Sequence, residues 1–199
     1  DNKKSCTCKQ CVAAGNTAEN DTPAVTSMMR KLAERFPKHQ FFTSAYHSTR
    51  TAPKEKLPSN VGVIISAIDL PMRVTFTENK GYRSFMSMVK EWKEKTDLIY
   101  VWDYSRNYSD YLSPFPCLKV MQRRFQLYNR LGVKGIFLNG SGDDYSAFDD
   151  MQTCILAKMM YDLTLDVDAE VQKYYKINYP ETGKLIADYY LKLERRVDE

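Results

Sequence analysis

Four short apolar runs, each broken off by polar residues, set the frame of this chain. They cover residues 41–46, 61–68, 98–102 and 133–138. Between most of them the apolar residues switch to helical spacing. Val25, Met28, Met29, Leu32 and Phe36 recur at three- and four-residue steps before Pro37, the stripe of an amphipathic helix. Thr22-Pro23 reads as its N-cap followed by proline at the first helical position. Tyr82, Phe85, Met86, Val89 and Trp92 form a second stripe, and Leu118, Met121, Phe125, Tyr128 and Leu131 a third, stopped by Gly132. Strand and helix therefore alternate about every 35 residues, the pattern of βαβ units on a parallel sheet.

The third run is the most informative. Leu98 to Trp102 are consecutively apolar or aromatic, then Asp103 arrives at once. An unbroken run of this kind predicts a strand buried on both faces. The interval from Tyr46 to Val61 holds Pro53 and Pro58, so an extended loop is expected there in place of a covering helix. After the fourth run, Ser146 and Asp149 have the spacing of a capping box ahead of Met151, Ile155 and Met159. Two further helices are expected near residues 166–176 and 181–197, the second carrying Leu185, Ile186, Tyr189, Tyr190, Leu193 and Val197 on one side.

The fold class is therefore α/β. Four strands are too few for an eight-stranded barrel of about 250 residues, which leaves a small open sheet or the later half of a barrel. The chain starts at Asp1 inside a Cys-rich turn without an initiator Met, and a longer protein extending upstream is expected. Residues 1–165 read as the strand–helix units and 166–199 as trailing helices packed on the same domain.

Parallel strands carry their ligands beyond their carboxyl ends, so the residues there are the site candidates. Asp69, Asp103 and Asp143 are the candidate catalytic carboxylates, with Asp103 favoured because it abuts Trp102. Tyr46, His47, Trp102, Tyr104, Asn107, Asn139 and Asp144 are the candidate substrate contacts, aromatic rings for stacking and polar groups for hydroxyls. With His39 and His47 as the only histidines, a Ser–His–Asp triad has little to draw on. The glycines of NGSGDD before a helix would suit a phosphate, but Asp143 and Asp144 would repel one.

Net charge is +4 from 29 basic and 25 acidic residues spread along the chain, a distribution that does not indicate nucleic acid. The longest apolar stretch, residues 61–68, is far too short to span a membrane. Cys6, Cys8 and Cys11 form CxCxxC, one thiol short of a structural zinc site. Metal (zinc), a disulfide with an odd thiol, and idle thiols all remain open. Cys117 could approach the cluster through its loop, and Cys154 reads as a core residue.

CTCKQC, AYHSTRTAP followed by NVGVIIS, YVWDYSRNY, GVKGIFLNG and KYYKINYPETGKLIADYY together resemble the bacterial family called domain of unknown function 4838. The resemblance implies a glycoside hydrolase of carbohydrate-degrading bacteria with a TIM-barrel core. This chain would then be the second half of a TIM (β/α)8 barrel with trailing C-terminal helices, acting on a polysaccharide or glycan. A periplasmic or extracellular location is implied in the same way. The family's cysteine motif falls on Cys6, Cys8 and Cys11, and its WDY motif on Trp102, Asp103 and Tyr104. No cofactor is required by this reading, and a carbohydrate-binding domain without catalysis is the alternative.

Overall fold

A computed structural model describes residues 5–71, 79–140 and 145–198. In chain order these form α1 (Lys9–Ala13), α2 (Thr22–Arg35), β1 (Phe41–Ala45), a 3-10 turn (His47–Thr49), β2 (Val61–Ser66), α3 (Lys80–Lys93) and β3 (Ile99–Tyr104). They continue with α4 (Leu118–Arg130), β4 (Gly135–Asn139), α5 (Asp149–Tyr161), α6 (Val167–Asn178) and α7 (Gly183–Asp198). The strands make one four-stranded sheet in the order β1-β2-β3-β4. β1 and β2 pair in parallel from Phe41↔Val61 to Ala45↔Ile65, and β2 and β3 from Val63↔Ile99 to Ser66↔Trp102. The sheet is parallel throughout, as the strand–helix alternation predicts.

The chain forms two compact units. The first comprises the described residues of Asp1–Leu70, Glu78–Asp103 and Gly132–Phe137, the second those of Pro71–Thr77, Tyr104–Leu131 and Leu138–Glu199.

In the first unit α2 packs on β1 and β2, and α3 packs on β2. Phe85, Met88, Val89 and Trp92 of α3 are buried with Thr43, Ala45, Val63, Ile65, Ile99 and Val101 of the strands. Trp92 also donates its indole N–H to the Arg50 carbonyl at 3.0 Å, which ties the loop after β1 to α3. The opposite strand face is open in part: Ser44 and Trp102 are exposed there, while Gly62 and Ser66 are buried. Along β3 the buried residues are Ile99, Val101 and Asp103, while Tyr100 and Tyr104 are half-buried and Trp102 is exposed. The expectation of a strand buried on both faces is thus corrected: β3 buries one.

The second unit is helical, with α4, α5, α6 and α7 packed on one another around Met121, Phe125, Met151, Ile155, Met159, Val171, Tyr190 and Leu191. Cys117 precedes α4 and supplies no side-chain cap. That role falls to Glu194 of α7, whose carboxylate accepts from the Leu118 and Lys119 N–H groups at 2.8 and 3.3 Å. These are among the orphan donors of a helix start.

Other expectations shift by a residue or a face. Thr22 lies inside α2 and Asp21 holds the N-cap position; the Asp21 carboxylate instead accepts from the Cys6 N–H. The strand β3 runs through Asp103 and Tyr104 instead of stopping at Trp102. Phe148, not Ser146, precedes α5, at φ 64°. On α7, Leu185 and Tyr189 are exposed while Tyr190 and Glu194 are buried, so the inward face lies round the helix from the predicted one. Asp166 caps α6 through the Ala169 N–H at 3.1 Å. Among the described residues no helix is long and apolar enough to cross a membrane.

Candidate functional site

The open sheet face of the first unit carries a row of rings. Phe42 lies over Gly62, where a Cβ would meet the Phe42 ring at 2.5 Å and the Leu98 carbonyl at 2.5 Å. Tyr100 lies over Gly135 in the same way, 2.6 Å from where its Cβ would stand. The two rings meet edge to face at 4.9 Å between centroids. Two residues further along each strand there is no glycine to lie on. Trp102 and Phe137 contact each other at 4.6 Å with planes 63° apart, and they remain 39% and 52% exposed. Edge-to-face contact of this kind fixes both rings while leaving apolar surface outward.

At the carboxyl end of β2, Asp69 is exposed and pairs with Arg50 at 2.6 Å. The other guanidinium nitrogen of Arg50 donates to Ser84 Oγ at 2.8 Å. The pair is thus held in place by α3, although an exposed ion pair adds little stability. Tyr46 and His47 follow β1, their rings 3.7 Å apart. His47 is exposed and adopts φ 47°, a left-handed conformation uncommon outside glycine and a recurrent mark of functional loops.

Asp103 takes a different place from the one its sequence position suggests. It is 0% exposed and shares its strand face with Ile99 and Val101, on the opposite side from Trp102 and Tyr104. The expectation of partial desolvation beside Trp102 is corrected to complete burial. Asp103 thus lies on the covered side of the strand, away from the exposed ring of Trp102.

In the second unit, the Asn139 carbonyl accepts from the Ser105 N–H at 3.4 Å and from the Tyr108 hydroxyl at 2.6 Å. Burial pushes the Tyr108 hydroxyl up to about 12. The Asn107 side chain accepts from the Ser109 N–H at 3.2 Å, an Asx turn that holds its own loop. Tyr104 contacts Tyr108 edge to face at 5.8 Å. Asp143 and Asp144 lie outside the described residues.

Two features of this unit escaped the sequence reading. Arg106 is 3% exposed and donates to Asp149 Oδ1, to the Ser105 carbonyl and hydroxyl, and to Thr153 Oγ1; it clamps the first turn of α5. Nearby a pocket of about 300 Å³ is lined by Tyr145, Asp149, Asp150, Tyr174, Tyr175 and Tyr179, among others. Its only sequence signal is the density of tyrosines in YYKINY.

Returning to the first unit, the Sγ atoms of Cys6, Cys8 and Cys11 lie within 4.8 Å of one another. Cys8 and Cys6 are exposed and Cys11 is half-buried. Hydrogen bonds from the Cys11 backbone and side chain bring Cys8 down to about 7, and the neighbouring thiols push Cys11 up to about 12. These three residues are close enough to hold a metal ion. In the second unit Cys117 is buried, its thiol 3.5 Å from the Ser105 carbonyl, and Cys154 is half-buried rather than core.

No curated protein and no solved structure matches the chain. The profile of a domain of unknown function, DUF4838, matches residues 1–191. With nearly its whole length covered, the chain belongs to the DUF4838 family.

Proposed function

We propose that this chain is the second half of a (β/α)8 barrel that hydrolyses a polysaccharide or glycan, and that its open sheet face lines the sugar-binding cleft. The observation that carries the reading is the Trp102–Phe137 pair, exposed on the open face towards the carboxyl ends of parallel strands. In a barrel that face is the interior, and its carboxyl-terminal mouth is where ligands bind. Rings presented there offer flat apolar surface to the C–H faces of a sugar, while Tyr46, His47 and the Arg50–Asp69 pair supply polar groups at the same strand ends. Asp69 takes over from Asp103 as the carboxylate of choice. The second carboxyl that glycoside hydrolysis generally needs would come from Asp143 or from upstream of Asp1. A carbohydrate substrate fits a periplasmic or extracellular location, which is part of the same proposal.

The burial of Asp103 favours a second reading, carbohydrate binding without turnover. Calorimetry and product analysis on a glycan panel, using the protein that carries this chain, separate the two. Trp102→Ala is expected to weaken binding by about tenfold, the worth of one stacked ring. Asp69→Asn is expected to abolish hydrolysis while leaving binding within a few-fold. Turnover unaffected by Asp69→Asn removes Asp69 from catalysis, and binding without turnover in the unmodified protein selects the second reading. A panel with no bound glycan, or binding indifferent to Trp102→Ala, overturns both.

A further inference from the structure

We propose that Cys6, Cys8 and Cys11 supply three thiolate ligands of a zinc site. The three sulfurs already converge within 4.8 Å. A tetrahedral site with Zn–S bonds of about 2.3 Å needs sulfurs about 3.8 Å apart, so contraction by about 1 Å or less completes it. Cys8 stands at the N-cap of α1 and Cys11 lies within it, so one helical turn presents two of the ligands and the preceding loop brings the third.

What holds that loop is independent of any metal. Asn16 is 7% exposed and donates to the Cys6 carbonyl at 3.4 Å and to Asp21 Oδ1 at 2.8 Å. Its own side-chain oxygen accepts from the Ala24 N–H at 2.9 Å, and its backbone N–H donates to the Cys11 carbonyl at 3.0 Å. Asp21 Oδ1 also accepts from the Cys6 N–H at 3.0 Å. Both ends of the thiol segment are therefore fixed to the start of α2 by one buried amide and one carboxylate. A site whose supporting shell is already built loses less freedom on binding its ion. That arrangement also distinguishes the cluster from three idle thiols, which would need no such support.

Thiolate sulfur selects a soft or borderline cation over magnesium or calcium, and zinc is the one that accepts tetrahedral geometry without redox chemistry. Among the described residues the group holds these three ligands, and a tetrahedral site takes a fourth from water, an added ligand or a residue outside them.

The test is zinc and cobalt titration of protein purified under reducing conditions without chelators, with competition by a chromophoric chelator. One zinc per chain is expected, and cobalt should give the intense thiolate charge-transfer absorption of a tetrahedral site. Cys8→Ser and Cys11→Ser should each weaken zinc binding by tenfold or more, with the circular dichroism of the fold retained. Cys154→Ser should leave it unchanged. Absence of bound zinc, equal binding by Cys8→Ser, or a disulfide within the cluster forming in place of zinc uptake would each overturn the assignment.

Discussion

Glu194 is the residue whose loss should reveal most about how the helical unit holds together. It is buried, and it accepts from the Leu118 N–H at 2.8 Å, the Lys119 N–H at 3.3 Å and the Tyr190 hydroxyl at 2.6 Å. Truncation in Glu194→Ala leaves the first turn of α4 without its acceptor. The Leu118 N–H is enclosed and loses the full value of a buried donor, about 1–3 kcal/mol; Lys119 is half-exposed and water replaces part of its bond. The Tyr190 hydroxyl loses its acceptor as well, so the expected cost is about 3 kcal/mol. For a chain of this size that corresponds to a fall in melting temperature of roughly 6–12 °C, measurable by calorimetry or denaturant titration. Burial raises the Glu194 carboxyl above its ordinary value, outweighing the hydrogen bonds that favour the charged form. A raised folded pKa means that its contribution is fully present below the unfolded pKa and is lost as pH rises through the folded one. The stability advantage of the native protein over Glu194→Gln should therefore shrink as pH climbs from below about 4.3 towards neutrality. A cost of Glu194→Ala below about 1 kcal/mol refutes the assignment of Glu194 as the cap of α4, and an advantage that grows over that pH range refutes the raised carboxyl pKa.

The two glycines under the aromatic rings should respond unequally to alanine. At Gly62 the new Cβ meets backbone, the Leu98 carbonyl, as well as Phe42, so Gly62→Ala should cost about 3 kcal/mol; at Gly135 the three nearest atoms all belong to the Tyr100 ring, which can move, and about 1 kcal/mol is expected. Denaturant titration checks the order, and equal costs would mean that the sheet yields at Gly62. Arg106→Lys keeps the charge but loses the planar fork that reaches Asp149, Ser105 and Thr153 together. A loss of about 3 kcal/mol is expected from thermal melts, and a loss below about 1 kcal/mol would show that the clamp is dispensable.

The elements were legible because their apolar periods are strong, and what escaped is what period does not encode. In β3 the ring residues Tyr100 and Trp102 are as apolar to a sequence reader as Ile99 and Val101, so the alternation of burial along the strand is invisible. Asp103 looked like a strand end because charge normally marks one, yet the strand carries it on into the covered face. On α7 the inward residues include Glu194, whose role depends on donors 75 and 76 positions away. The Asn16 hub was missed for a related reason: a polar loop residue reads as solvated until its four partners are seen. The thiol cluster, in contrast, was legible, since close spacing alone nearly guarantees proximity.

The open face of the sheet has a direction, and that direction bears on function. Towards the amino ends of β3 and β4, Tyr100 lies over Gly135, and on β1 Phe42 lies over Gly62, so ring surface is turned against the sheet and made flat. Towards the carboxyl ends the pair Trp102 and Phe137 keeps its surface outward. A face meant only to be covered by a further layer gains most from burying rings along its whole length, whereas one that also receives a ligand keeps some free at the end where ligands approach. The same end holds the left-handed His47 and the Arg50–Asp69 pair. On the reading proposed above, the projecting rings are the ones a ligand at the carboxyl ends of the strands would meet, whichever carboxylate performs chemistry there.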